Sequence, residues 1–149
     1  LGYQTKPLYN KEDVMGTWSV DAFGNDDACD WAYGLEECKD LSLIERTVDK
    51  ALSNDSYLEA PDGAEALAAI EVIARLQGHW GERTAYTETA DAWAEKIKLT
   101  PSASLVEKAH RVIDLVLSDQ SELCELWQQS DEFDDWQNGV LDLKSRVHA

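Results

Sequence analysis

The sequence predicts an all-α protein, a single compact bundle of six or seven helices with an irregular N-terminal segment, and three observations predict it. Apolar residues recur at three- and four-residue spacing along most of the chain, the period of an amphipathic helix. Glycine and proline are scarce, 8 and 3 in 149 residues, too few for the frequent turns of an all-β chain. Residues that start helices, such as Asn25, Ser42, Asp62 and the Thr100-Pro101 pair, stand where the periodic runs begin.

Residues 1–14 (LGYQTKPLYNKEDV) have no helical period and precede Met15, the only methionine. They read as an upstream extension or a vector-derived segment, with residues 15–149 as one helical domain. Gly16–Phe23 is the best strand candidate, since Trp18 and Val20 alternate with polar residues. Asn25 then caps a first helix with Asp26 and Asp27 in its first turn and Ala28, Trp31, Ala32 and Leu35 on one face. Cys29 and Cys38 are expected on this helix, on opposite faces and about 13 Å apart along its axis, too far for a disulfide.

Ser42–Glu45 has capping-box form and opens a helix with Ile44, Val48, Ala51 and Leu52 on one side. Pro61–Glu65 opens a third, with Asp62 as its cap. Leu67, Ile70, Val72, Ile73 and Leu76 surround most of that helix, which makes it central, and Gly78–Gly81 closes it. Tyr86, Ala90, Trp93 and Ile97 mark a fourth helix. Thr100-Pro101 stops it and opens the fifth, whose broad face runs from Leu105 and Val106 to Val116 and Leu117, a second central candidate. Asp119–Glu122 opens a sixth, short helix with Leu123, Leu126 and Trp127. After Ser130 a last helix carries Phe133, Trp136, Val140, Leu143 and Val147.

The charge excludes several functions. With 30 Asp and Glu against 13 Lys and Arg, the net charge is −17, so direct binding of nucleic acid or an anionic membrane is disfavoured. No apolar run is long enough to span a membrane, and no signal-peptide pattern is present. Cys29, Cys38 and Cys124 have no zinc or disulfide spacing and read as reduced cytoplasmic thiols. The acidity is gathered near the two ends. Residues 13–38 hold Asp21, Asp26, Asp27, Asp30, Glu36 and Glu37 without a single Lys or Arg, and residues 112–143 are equally free of bases. If the two ends pack side by side, one surface is strongly negative.

Two acidic patterns have the form of metal sites. Asp26-Asp27-x-x-Asp30 can place carboxylates on one helical face, as a hard cation needs, but acids at a helix N-terminus also serve the helix dipole. Glu122-x-x-Glu125 and Glu132-x-x-Asp135 are paired motifs too close in sequence to sit on two facing helices, and a solvated acidic face is favoured. His79, His110 and His148 have no metal-ligand spacing, and neither a nucleophile elbow nor a phosphate loop occurs. No catalytic residue and no cofactor is therefore expected. Trp31, Trp93 and Trp136 belong to apolar faces and to the core. Trp18, Trp80 and Trp127 are less tied to a stripe, so one of them is a candidate for a partner surface.

The block Met15-Gly16-Thr17-Trp18, followed by Phe23-Gly24-Asn25-Asp26-Asp27-Ala28 and Asp30-Trp31, resembles the opening of a family of small bacterial proteins known as domain of unknown function 4259. Tyr57-Leu58-Glu59-Ala60-Pro61 and Ser121-Glu122-Leu123 with Leu126-Trp127 are similar to it as well. The resemblance implies a cytoplasmic bacterial protein with Met15 as its start and supplies no catalytic residues. These residues then read as anchors and caps rather than as a site.

The functional expectation is a non-catalytic module that binds a basic protein, of the immunity or toxin-neutralising type. Its expected contact residues are Asp131, Glu132, Asp134 and Asp135, with Trp127 as the aromatic. The alternatives are a metal-dependent enzyme using Asp26, Asp27 and Asp30, and a nucleic-acid mimic with rows of exposed carboxylates.

Overall fold

Helix α3, Ala60–Leu76, is apolar on every side, and so the bundle assembles around it. It packs against each of the other six helices. Those are α1 (Asp26–Tyr33), α2 (Ser42–Leu52), α4 (Glu88–Ile97), α5 (Ala103–Val116), α6 (Glu122–Gln128) and α7 (Phe133–Arg146). A computed structural model describes residues 19–53 and 57–148, and among these no strand is present. Ala66, Ala68, Ala69 and Ala74 are fully buried on α3, and their small size lets neighbouring backbones come close. Leu67, Ile70, Val72 and Ile73 fill the space between, as expected for a central helix. The apolar face of α5, from Leu105 to Val116, is the second spine.

Three helices begin at side-chain caps. Asn25 Oδ1 accepts from the Ala28 amide at 2.8 Å, Ser102 Oγ from Leu105 at 3.1 Å, and Ser121 Oγ from Cys124 at 3.2 Å. Other starts differ from expectation. Ser42 is the first residue of α2 rather than its cap. Asp40 instead accepts from both the Ser42 hydroxyl (2.6 Å) and its amide (3.0 Å), and these bonds hold its carboxyl below the usual range. Helix α3 starts at Ala60, so Asp62 lies within the first turn. The Ala60 amide donates to Glu122 Oε1, 2.7 Å away, at the start of α6. Pro101 stands before the Ser102 cap instead of within α5.

The first helix is shorter than its pattern. It ends at Tyr33 and passes into a 3-10 turn, Gly34–Glu37, so Cys38 is not on the same helix as Cys29. Tyr86 falls in another 3-10 turn, Ala85–Thr87, ahead of α4, and is 54% exposed. Val147 follows α7 in extended backbone yet is fully buried. The described part of the strand candidate, residues 19–23, is a turn. Gly24 donates to the Asp21 carbonyl at 2.9 Å and Ser19 to the Gly24 carbonyl at 3.2 Å. A Cβ on Gly24 would come within 2.0 Å of Ser19 Oγ and 3.0 Å of the Ser19 carbonyl oxygen, so any larger residue in this tight turn has to displace the Ser19 hydroxyl. Residues 1–14, Met15 and Trp18 lie outside the described residues.

Trp31, Trp93 and Trp136 are core residues as expected. Trp31 Nε1 donates to Thr47 Oγ1 (2.8 Å) and Trp93 Nε1 to the Cys38 carbonyl (3.0 Å), which satisfies each buried indole. No helix among the described residues is long and apolar enough to cross a membrane.

Candidate binding cavity and its acidic rim

A cavity of about 260 Å³ opens between the Ser19–Asn25 turn, α3, α6 and α7. Phe23, Leu67, Leu123, Trp127, Trp136 and Val140 make the apolar part of its wall. Trp127 and Trp136 stack there, with ring centroids 6.3 Å apart. Asp21, Asp135 and Asp142 face the same cavity, as does Glu71 on α3. Among the described lining residues five carboxylates stand against the two guanidinium groups of Arg75 and Arg146.

Both guanidinium groups are already paired. Arg75 is 3% exposed, and a buried charge must find partners or cost several kcal/mol (roughly, by the desolvation of an ion). Its Nε lies 2.6 Å from Asp91 Oδ1 and its Nη1 2.6 Å from Glu71 Oε1. Its Nη2 donates to the Glu82 carbonyl at 3.2 Å. Asp91 Oδ2 accepts from Thr87 Oγ1 at 2.6 Å. Arg146 Nη2 meets Glu71 Oε2 at 2.8 Å, and its Nε meets Asp142 Oδ2 at 2.8 Å. Burial works against the Arg146 charge, but Glu71 and Asp142 outweigh it and hold its pKa above the usual value. Trp80 lies between two cations, its ring 5.6 Å from the Arg75 guanidinium carbon and 4.5 Å from that of Arg83. The cluster ties α3, α4, α7 and the loop after α3 together at one end of the cavity. Sequence reasoning missed it. The available signal was Arg75 itself, a charge on a helix apolar all round, four residues after Glu71.

The histidines fasten the C-terminal end of the chain. His79 Nδ1 donates to the Arg146 carbonyl at 2.7 Å and its ring stacks on His148 at 4.5 Å, while His110 Nε2 donates to the Val147 carbonyl. No group of three or more His, Cys, Asp or Glu side chains among the described residues is arranged to hold a metal ion. Asp26 and Asp30 are exposed on α1, and Asp27 is half-buried with Oδ2 unpartnered. Burial first, and then Asp30 and Asp26, push the Asp27 carboxyl upward. The three are not gathered into a metal-holding group. Glu122 and Glu125 have structural partners, the Ala60 amide and the Tyr57 hydroxyl (2.7 Å). That bond to Glu125 is the main cause pushing the Tyr57 phenol up to about 12.

The expected contact residues divide. Asp134 and Asp135 are exposed in the first turn of α7, Asp131 is exposed in the turn ahead of it, and Glu132 is half-buried immediately before the helix. Trp127 is 3% exposed, which corrects the expectation of a surface aromatic. The junction of α6 and α7 buries its ring against Trp136, where it forms cavity wall. The three cysteines are free, and burial raises the thiol pKa of Cys29 and of Cys124.

Fold and site together define an all-α domain with an aromatic-walled cavity and a carboxylate-rich mouth. The family described as Domain of unknown function (DUF4259) matches residues 16–139, and the chain belongs to it. No curated protein and no solved structure matches the chain. Two of the sequence blocks that resemble the family meet in space. Leu58 and Ser121 form a parallel bridge, in which Leu58 donates to the Gln120 carbonyl (2.8 Å) and Glu122 to the Leu58 carbonyl (2.9 Å). With Asn25 as a cap and Trp31 in the core, these blocks hold the fold together.

Proposed function

We propose that the protein is a non-catalytic binding module that captures a basic protein, in the manner of an immunity or toxin-neutralising factor. One observation carries the reading. Asp21 belongs to the first acidic stretch and Asp135 and Asp142 to the second, and all three line one cavity. The two stretches therefore meet at this cavity, and Asp131 and Asp134 of the second are exposed as well. A net charge of −17 raises the encounter rate with a basic partner, and rim carboxylates orient it. The guanidinium groups of Arg75 and Arg146 are held by Glu71, Asp91 and Asp142, so they do not offer an anion site. The free thiols support a reducing compartment, the cytoplasm, for the pair.

Selection from a random displayed-peptide library tests the reading. Enrichment of Lys- and Arg-rich peptides is expected, with binding that weakens at least about tenfold between about 0.05 and 0.5 M salt. Enrichment of neutral or acidic peptides, or binding indifferent to salt, contradicts it.

A further inference from the structure

Among the described residues one buried side-chain oxygen has no hydrogen-bond partner, Oδ2 of Asp27 in the first turn of α1. Buried polar atoms are normally paired, because an unpaired one carries its full desolvation cost. The cap of α1 does not use this group, since the Asn25 side chain accepts from the Ala28 amide. The charges that act on Asp27, those of Asp30 and Asp26, are both negative.

Helix α1 packs on α3, where a second carboxyl, that of Glu65, is half-buried. Burial pushes the Glu65 carboxyl upward, Lys50 of α2 pulls it back, and Asp62 and Asp27 add to the rise. Lys50 is shared, because its Nζ lies 3.3 Å from Asp62 Oδ1 and its side chain is mostly exposed. None of these charges comes from α4 or the Gly34–Glu37 turn, which also pack on α1. Two half-buried carboxylates so placed are poorly compatible while both are ionised. We propose that Asp27 and Glu65 form a proton-operated joint between α1 and α3: in mild acid the pair takes one proton from solvent, and the O–H so formed donates to the other carboxylate and tightens the interface. The Ser19–Asn25 turn runs directly into α1, so the joint holds the element that brings Asp21 to the cavity. The inference is independent of the basic-partner reading. A carboxyl raised by folding binds its proton more tightly in the fold. Its stabilisation is therefore full below the ordinary values, 3.8 for Asp27 and 4.5 for Glu65, and is lost as the pH rises through the folded ones.

Carbon-13 NMR of the side-chain carboxyls in the full chain tests the joint. The Asp27 carbon is expected to have begun its titration at about pH 5, where an ordinary aspartate is still almost wholly ionised. In Asp27→Asn the Glu65 carbon is expected to titrate at lower pH than in wild type. An Asp27 carbon that stays still down to about pH 5, or a Glu65 titration unmoved by Asp27→Asn, overturns the joint. Stability gives a second reading. Asp26→Asn removes one charge from the same turn at an exposed position and serves as the control. At about pH 7 the thermal midpoint of Asp27→Asn is expected to stand at least about 2 °C above that of Asp26→Asn, and the gap is expected to narrow toward about pH 5. No gap at neutral pH, or one of the same size at both pH values, contradicts the proposal.

Discussion

Asp91 is the residue on which the buried ion cluster depends, because it holds Arg75 at 2.6 Å and accepts from Thr87 at 2.6 Å. Asp91→Ala leaves the buried guanidinium with Glu71 as its remaining carboxylate. Urea unfolding is expected to show a loss of about 3–5 kcal/mol, the usual cost of breaking a buried pair from one side. Tyr57 gives a pH-dependent counterpart. Its phenol titrates near 12 rather than the ordinary 10.0, so the bond to Glu125 favours the fold below pH 10 and is lost as the pH rises through 12. The ultraviolet titration of Tyr57, taken as wild type minus Tyr57→Phe, is expected to move back toward the ordinary value in Glu125→Gln. At this scale the sequence made the core tryptophans legible, because Trp31, Trp93 and Trp136 sit in phase with local apolar stripes. It did not reveal the ion cluster, since the Arg75–Asp91 pair joins residues on two helices and leaves no periodic trace.

Helices were legible as elements because their signals are local. The periods of α3 and α5 predict their burial, and Asn25 predicts the start of α1. The starts of α2 and α3 were misplaced for a physical reason. Their first turns are satisfied by Asp40 and by Glu122, and the latter comes from a helix distant in sequence. Glu122→Ala is expected to destabilise the protein by about 1 kcal/mol, as for other lost caps, while Glu122→Gln keeps an acceptor and most of the stability. Thermal unfolding of the two variants separates these outcomes. Gly139→Ala is expected to act in the opposite direction. With open space at its Cβ, alanine gains helix propensity and raises stability by about 0.5–1 kcal/mol. A fall in the thermal midpoint would contradict the open space at that exposed position.

For the whole molecule, composition restricted the function and topology gave the charge a location. The sequence showed acidic stretches near both ends and left open whether they meet. The turn at Ser19–Asn25 and helix α7 bring Asp21 and Asp135 to one cavity, a proximity that no local pattern encodes. The same packing moved Trp127 from an expected surface to the cavity wall. The double variant Asp21→Asn/Asp135→Asn removes two exposed carboxylates of the cavity lining without touching the core. Its affinity for a lysine-rich peptide taken from the displayed library, measured at low and high salt against wild type, tests the central claim most directly. The account predicts several-fold weaker binding at about 0.05 M salt and a difference that disappears at about 0.5 M, where screening does the same work. Unchanged affinity at low salt would contradict it.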